Sequence, residues 1–97
     1  MQDNSYRNDR DEMRDLLKQF ENLRTGMSHG FLEEDSFEKI IDYFDEKDDI
    51  AKALEAVELG VGQFPYSASL MVKKADLLIA TRKYNDALEI LEKAEIL

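Results

Sequence analysis

The chain of 97 residues contains no cysteine, one proline, one histidine and four glycines. Without thiols there is no disulfide and no thiolate metal site. With so few prolines and glycines little interrupts a helix, so long helices are expected. Basic residues are also scarce: 13 Lys and Arg stand against 22 Asp and Glu, a net charge of −9. Phosphate recognition rests on clustered Lys and Arg, so this balance argues against nucleic acid as a partner, and equally against an anionic membrane surface. No stretch approaches the roughly 18 apolar residues of a membrane span. The opening MQDNSYRNDRDEMRD has no apolar run that could act as a signal peptide. A cytoplasmic location is the expectation from these absences.

Apolar residues still make up 43% of the chain, enough for a folded domain. Their spacing is helical throughout and nowhere alternates with period two, so the predicted fold class is all-α. After a polar tail over residues 1–8, Met13, Leu16, Phe20, Leu23 and Met27 step by three and four and define an amphipathic helix over residues 9–25, stopped by Gly26. A linker follows to Leu32. A second helix starts near Asp35, where Asp35 and Glu38 have capping-box spacing, and buries Phe37, Ile40, Ile41 and Phe44. A third, with Ile50, Ala53, Leu54, Val57 and Val61 inward, ends at Gly60, Gly62 and Pro65. A fourth covers Ser67 to Ala80 and a fifth begins at Tyr84. Residues 1–32 thus read as tail, helix and linker, and residues 33–97 as two helical hairpins, 34–66 and 67–97.

The two hairpins match each other at a single constant offset, the one that carries Ala53 onto Ala87. Ala53-Leu54-Glu55 recurs as Ala87-Leu88-Glu89 and Asp42 as Asp76; Phe37, Ile41, Phe44 and Val57 map to Met71, Ala75, Leu78 and Leu91; Gly60 maps to Ala94. The first copy reads Phe37-x2-Ile40-Ile41-x2-Phe44, Ala53-x3-Val57 and Pro65, and the second repeats Ala87-x3-Leu91. This helix–turn–helix pattern resembles the tetratricopeptide repeat family, whose period of about 34 residues it shares. The stretch from Arg82 to Ala94 is similar to the family's second helix, and the chain is similar to bacterial members of it. Ile41 and Lys74 depart from the family pattern, standing where a small residue and a leucine are favoured. A lysine can occupy such a position by burying only its stem. The second copy stops short of its closing proline, and no polar capping helix follows Leu97. An N-terminal piece of a longer repeat protein, or a chain whose end is covered by another, is therefore expected.

The resemblance implies a non-catalytic scaffold that binds a protein or peptide, with no cofactor. The first helix of each hairpin would line a groove, placing Asp35, Glu38, Asp42 and Asp45 beside Ser69, Val72, Asp76 and Ile79 as partner-binding residues. Residues 31–67 hold 11 acids and 3 lysines, so most of the negative charge lies on the first repeat. Two readings of it stand side by side: a groove for a basic peptide, and a solvated face that maintains solubility. A self-assembling segment of a longer repeat array is the alternative function. The open C-terminal face, with Leu88, Leu91 and Leu97 on the last helix, is the second surface on which a partner could bind, and a weak homodimer through it is expected. An enzyme is not expected: paired carboxylates need a dry pocket to act as acid and base, and no nucleophile accompanies them. No metal site is expected either. Asp45-Glu46-Lys47-Asp48-Asp49 lacks the glycine and distal glutamate of a calcium loop, and His29 has no companion ligand.

Overall fold

The computed structural model describes residues 4–96. These form five helices and no strand: α1 (Asn4–Arg24), α2 (Glu34–Glu46), α3 (Ile50–Gln63), α4 (Ala68–Ala80) and α5 (Tyr84–Ile96). The class is all-α, and no helix among the described residues is long and apolar enough to cross a membrane. Each helix packs on the next in sequence, α2 on α3, α3 on α4 and α4 on α5, with α1 lying against α2 and α3. The described residues extend over 49 × 27 × 24 Å with a radius of gyration of 14.4 Å. A compact domain of this length would have about 12.5 Å, so the molecule is elongated, as serial stacking requires.

The two hairpins share one register. The offset that carries Glu34 to Ala68 at the start of α2 and α4 also carries Glu46 to Ala80 at their ends, and the link 47–49 to the link 81–83. Each of α2 and α4 closes with the same pair of backbone bonds. The Asp49 amide donates to the Phe44 carbonyl at 2.9 Å and the Asp48 amide to Asp45 at 3.0 Å; the Lys83 amide donates to Leu78 at 2.7 Å and the Arg82 amide to Ile79 at 2.9 Å. This is the Schellman arrangement, in which a residue of left-handed conformation reverses the chain and satisfies carbonyls left open by the helix end. Asp48 and Arg82 are those residues, at φ 60° and 64°.

The start signals differ between the copies. Asp49 caps α3 by accepting from the Lys52 amide at 3.2 Å, and Ser67 caps α4 by accepting from Leu70 at 3.1 Å. The capping box predicted at Asp35 and Glu38 does not form. Helix α2 already starts at Glu34, its N-cap Glu33 makes no side-chain cap, and Asp35 lies inside the first turn, where its charge complements the helix dipole. The Ser67 hydroxyl also donates to Glu34, tying the starts of α2 and α4 together.

One core runs through Leu16, Phe20, Leu32, Phe37, Ile40, Ile41, Ala53, Ala56, Val57, Leu70 and Leu77; a smaller one joins Ala75, Leu78 and Ala87. Small residues sit where helices approach. Ala53 and Ala87 are buried, and Gly60 does not end α3 as predicted, since the helix runs on to Gln63. A Cβ on Gly60 would lie 3.1 Å from Phe37 Cγ and 3.3 Å from Leu70 Cδ1. Glycine therefore stands here to admit neighbours from α2 and α4, at a cost in helix propensity of about 1 kcal/mol. Lys74 is half-buried and places Nζ 2.9 Å from Glu58 Oε2 on α3.

Helix α1 caps the first hairpin. Phe20 is 1% exposed and its ring stands 5.6 Å from that of Phe44. Leu16 is buried and Leu23 half-buried beside it. Met27 falls off the predicted stripe and is 81% exposed, because Gly26, at φ 79°, has already turned the chain out of the helix. The helix also begins earlier than predicted, at Asn4 and not after a tail over residues 1–8; residues 1–3 lie outside the described residues. The linker is held by Gln63, whose side chain accepts from the Leu32 amide and donates to the Gly30 carbonyl.

Candidate functional site

Helices α2 and α4 carry the eight residues predicted to line a groove. Asp35, Asp42, Asp45, Ser69, Val72, Asp76 and Ile79 are all exposed and Glu38 is half-buried, so each remains open to a partner. The spacing by three and four along each helix puts them on one side of it. The structure brings three of the eight together: Asp42, Asp45 and Asp76 line one small cavity of about 90 Å³ between the helices, with Ile41 and Leu77 as its apolar wall. Asp35, Glu38, Ser69, Val72 and Ile79 lie outside that cavity. Val72 and Ile79 flank Asp76 on α4 and are 41% and 43% exposed.

Sequence reasoning missed the cations in this surface. Lys73 also lines the cavity and donates to Asp42 Oδ1 at 2.8 Å. Its counterpart in the first repeat, Lys39, reaches Glu12 of α1 at 3.3 Å and Asp35 at 3.5 Å. The Glu12 hydrogen bond and the charges of Glu12 and Asp35 raise the Lys39 pKa above the ordinary lysine value. Each lysine thus links its helix to a preceding one. The repeat map held the signal, since the offset that carries Ala53 onto Ala87 also carries Lys39 onto Lys73. After Lys73 is counted, the cavity holds three carboxylates against one ammonium. Among the described residues no ion pair engages Asp45 or Asp76.

The predicted contact residues of α5 are divided. Leu88 is 60% exposed, Leu91 is half-buried against the smaller core, and Leu97 lies outside the described residues. No three His, Cys, Asp or Glu side chains among the described residues are placed to hold a metal ion together. No protein-family model, curated protein or solved structure matches the chain.

Proposed function

We propose that this chain is a tetratricopeptide-like binding module without catalytic activity, and that the surface of α2 and α4 takes a basic peptide segment bearing aliphatic side chains. The observation that carries the reading is the juxtaposition in the groove. Asp42, Asp45 and Asp76 converge on one cavity with two carboxylates in excess of Lys73, and exposed Val72 and Ile79 flank Asp76. Exposed Val72 and Ile79 give this acidic surface apolar contact positions as well as charge. A peptide cation would reach Asp45 or Asp76, while its aliphatic neighbours cover Val72 and Ile79. The family reading is supported by the recurrence, one repeat length on, of the left-handed turn residues and their hydrogen bonds.

The experiment is selection of a displayed random-peptide library on the full chain. Enrichment of Lys- and Arg-containing peptides with aliphatic residues, lost against the Asp42→Asn, Asp45→Asn, Asp76→Asn triple variant, is the expected result. Enrichment of acidic peptides, or equal recovery on the variant, would contradict the proposal.

A further inference from the structure

Charge is spread unevenly along the chain. Although 36% of its residues are charged, residues 25–32 and 59–72 contain no Asp, Glu, Lys or Arg. The fold brings these two stretches together where the linker after α1 meets the link between α3 and α4. Gln63 fastens them, accepting from the Leu32 amide and donating to the Gly30 carbonyl. The Phe31 ring stands 5.3 Å from that of Phe64, and Phe64 in turn rests on the buried Phe37, ring centres 6.2 Å apart. Phe31 is nevertheless 69% exposed and Tyr66 80%. Phe64, Pro65 and Tyr66 line a cavity of about 360 Å³ with Glu34 at its edge. Single exposed apolar side chains are ordinary. Here two exposed aromatics adjoin a third ring, a proline and a cavity on an uncharged surface.

The chemistry selects one occupant. The rings come from a linker and a turn, so they do not form the row at steps of three and four that meets an amphipathic helix. Ring faces and an exposed phenol suit a polyproline II segment. Its pyrrolidine rings pack on aromatic faces, and its carbonyls, unused within that helix, can accept from a hydroxyl such as that of Tyr66. The border is acidic. Glu33 is exposed, Glu34 lines the cavity, and among the described residues neither takes part in an ion pair. A cation next to the prolines would complement them. We propose that the Phe31–Phe64–Tyr66 surface is a docking site for a proline-rich segment in polyproline II conformation, flanked by arginine or lysine, with the prolines on the rings and the cation at Glu33 and Glu34. A second copy of the chain does not supply that segment, because its single proline, Pro65, belongs to the site itself. The surface shares no residue with the groove of α2 and α4, so docking here does not depend on the function proposed there.

The test is NMR titration of the isotopically labelled full chain with an oligoproline peptide flanked by arginines, beside a peptide of the same charge with glycine in place of every proline. Saturable shifts at residues 31–34 and at Phe64, Tyr66 and Ser67 are expected, with the glycine peptide weaker by about tenfold or more. Phe31→Ala and Tyr66→Ala, both at exposed positions and checked for unchanged helix content, should each weaken the proline peptide by about tenfold. Glu33→Gln should reduce the salt dependence of its binding, whereas Asp45→Asn in the groove should leave affinity unchanged. Absence of binding, equal affinity for the two peptides, indifference to both ring variants, or loss of affinity in Asp45→Asn would overturn the proposal. So would a chain that sediments as a dimer and becomes monomeric on Phe31→Ala, because the rings would then belong to a second copy.

Discussion

Asp48 and Arg82 are equivalent residues of the two repeats and occupy the same left-handed backbone conformation, at φ 60° and 64°. Neither is glycine, although each is the C′ residue of a Schellman turn, where glycine carries no steric penalty. Aspartate tolerates this region better than arginine does. Arg82→Gly is therefore expected to stabilise the protein by about 0.5–1 kcal/mol, and Asp48→Gly by less, after the entropy of the added glycine in the unfolded chain is subtracted. Urea unfolding measures both; a loss of stability in Arg82→Gly would show that the left-handed turn does not govern that link.

Two glycines of α3 should respond in opposite directions to the same substitution. Gly62→Ala meets nothing within 4 Å and lies in the last turn of α3, so it should gain about 0.5 kcal/mol from helix propensity, less than at an interior position. At Gly60 the new methyl would press on Phe37 Cγ at 3.1 Å and Cβ at 3.3 Å. Those atoms lie at the root of a fully buried side chain and cannot rotate away. Overpacking costs about 1–3 kcal/mol, so Gly60→Ala should lose stability despite the propensity gain. Thermal melts that rise for both variants would contradict the close packing of α2, α3 and α4.

Phe20→Ala should destabilise by about 3–5 kcal/mol, because the ring is buried between α1 and the first hairpin and has Phe44 as a neighbour. Chemical denaturation checks this. A change near zero would mean that α1 does not cap the hairpin.

The Glu21 carboxyl should titrate below the usual glutamate range. Its hydrogen bond to the Arg24 guanidinium favours the charged form and outweighs partial desolvation, with the Arg24 and Lys52 charges acting in the same direction. A lowered folded-state pKa stabilises the fold above the unfolded-state value, and that contribution is lost as pH falls through the folded value. Both groups are exposed, so the effect on stability is small. The pKa itself is the better readout. Carboxyl carbon NMR should show the Glu21 midpoint rising when Arg24→Gln removes the partner; an unmoved midpoint would contradict the pairing.

Helix number and type were legible because every helix writes an apolar stripe at steps of three and four. Helix ends were less so. Gly60 reads as a stop in one dimension, and only the position of Phe37 across the helix interface shows it to be a packing residue. Asp35 and Glu38 have the spacing of a capping box, but a spacing does not say which residue the chain enters on, and Glu33 is that residue. The acids of the candidate surface were placed through the family resemblance, which assigns a face to the first helix of each hairpin. Lys73 was missed because its partner Asp42 lies on another helix, a contact that depends on how the hairpins stack.

The groove is tested most directly by NMR titration of the isotopically labelled chain with a library-selected basic peptide at low and at physiological salt. Shifts concentrated at Asp42, Val72, Asp76 and Ile79 are expected. The affinity should fall as salt rises, since exposed charges are screened within about 8 Å at physiological ionic strength. Shifts confined to α1 or α5, or an affinity indifferent to salt, would contradict a basic-peptide groove on α2 and α4.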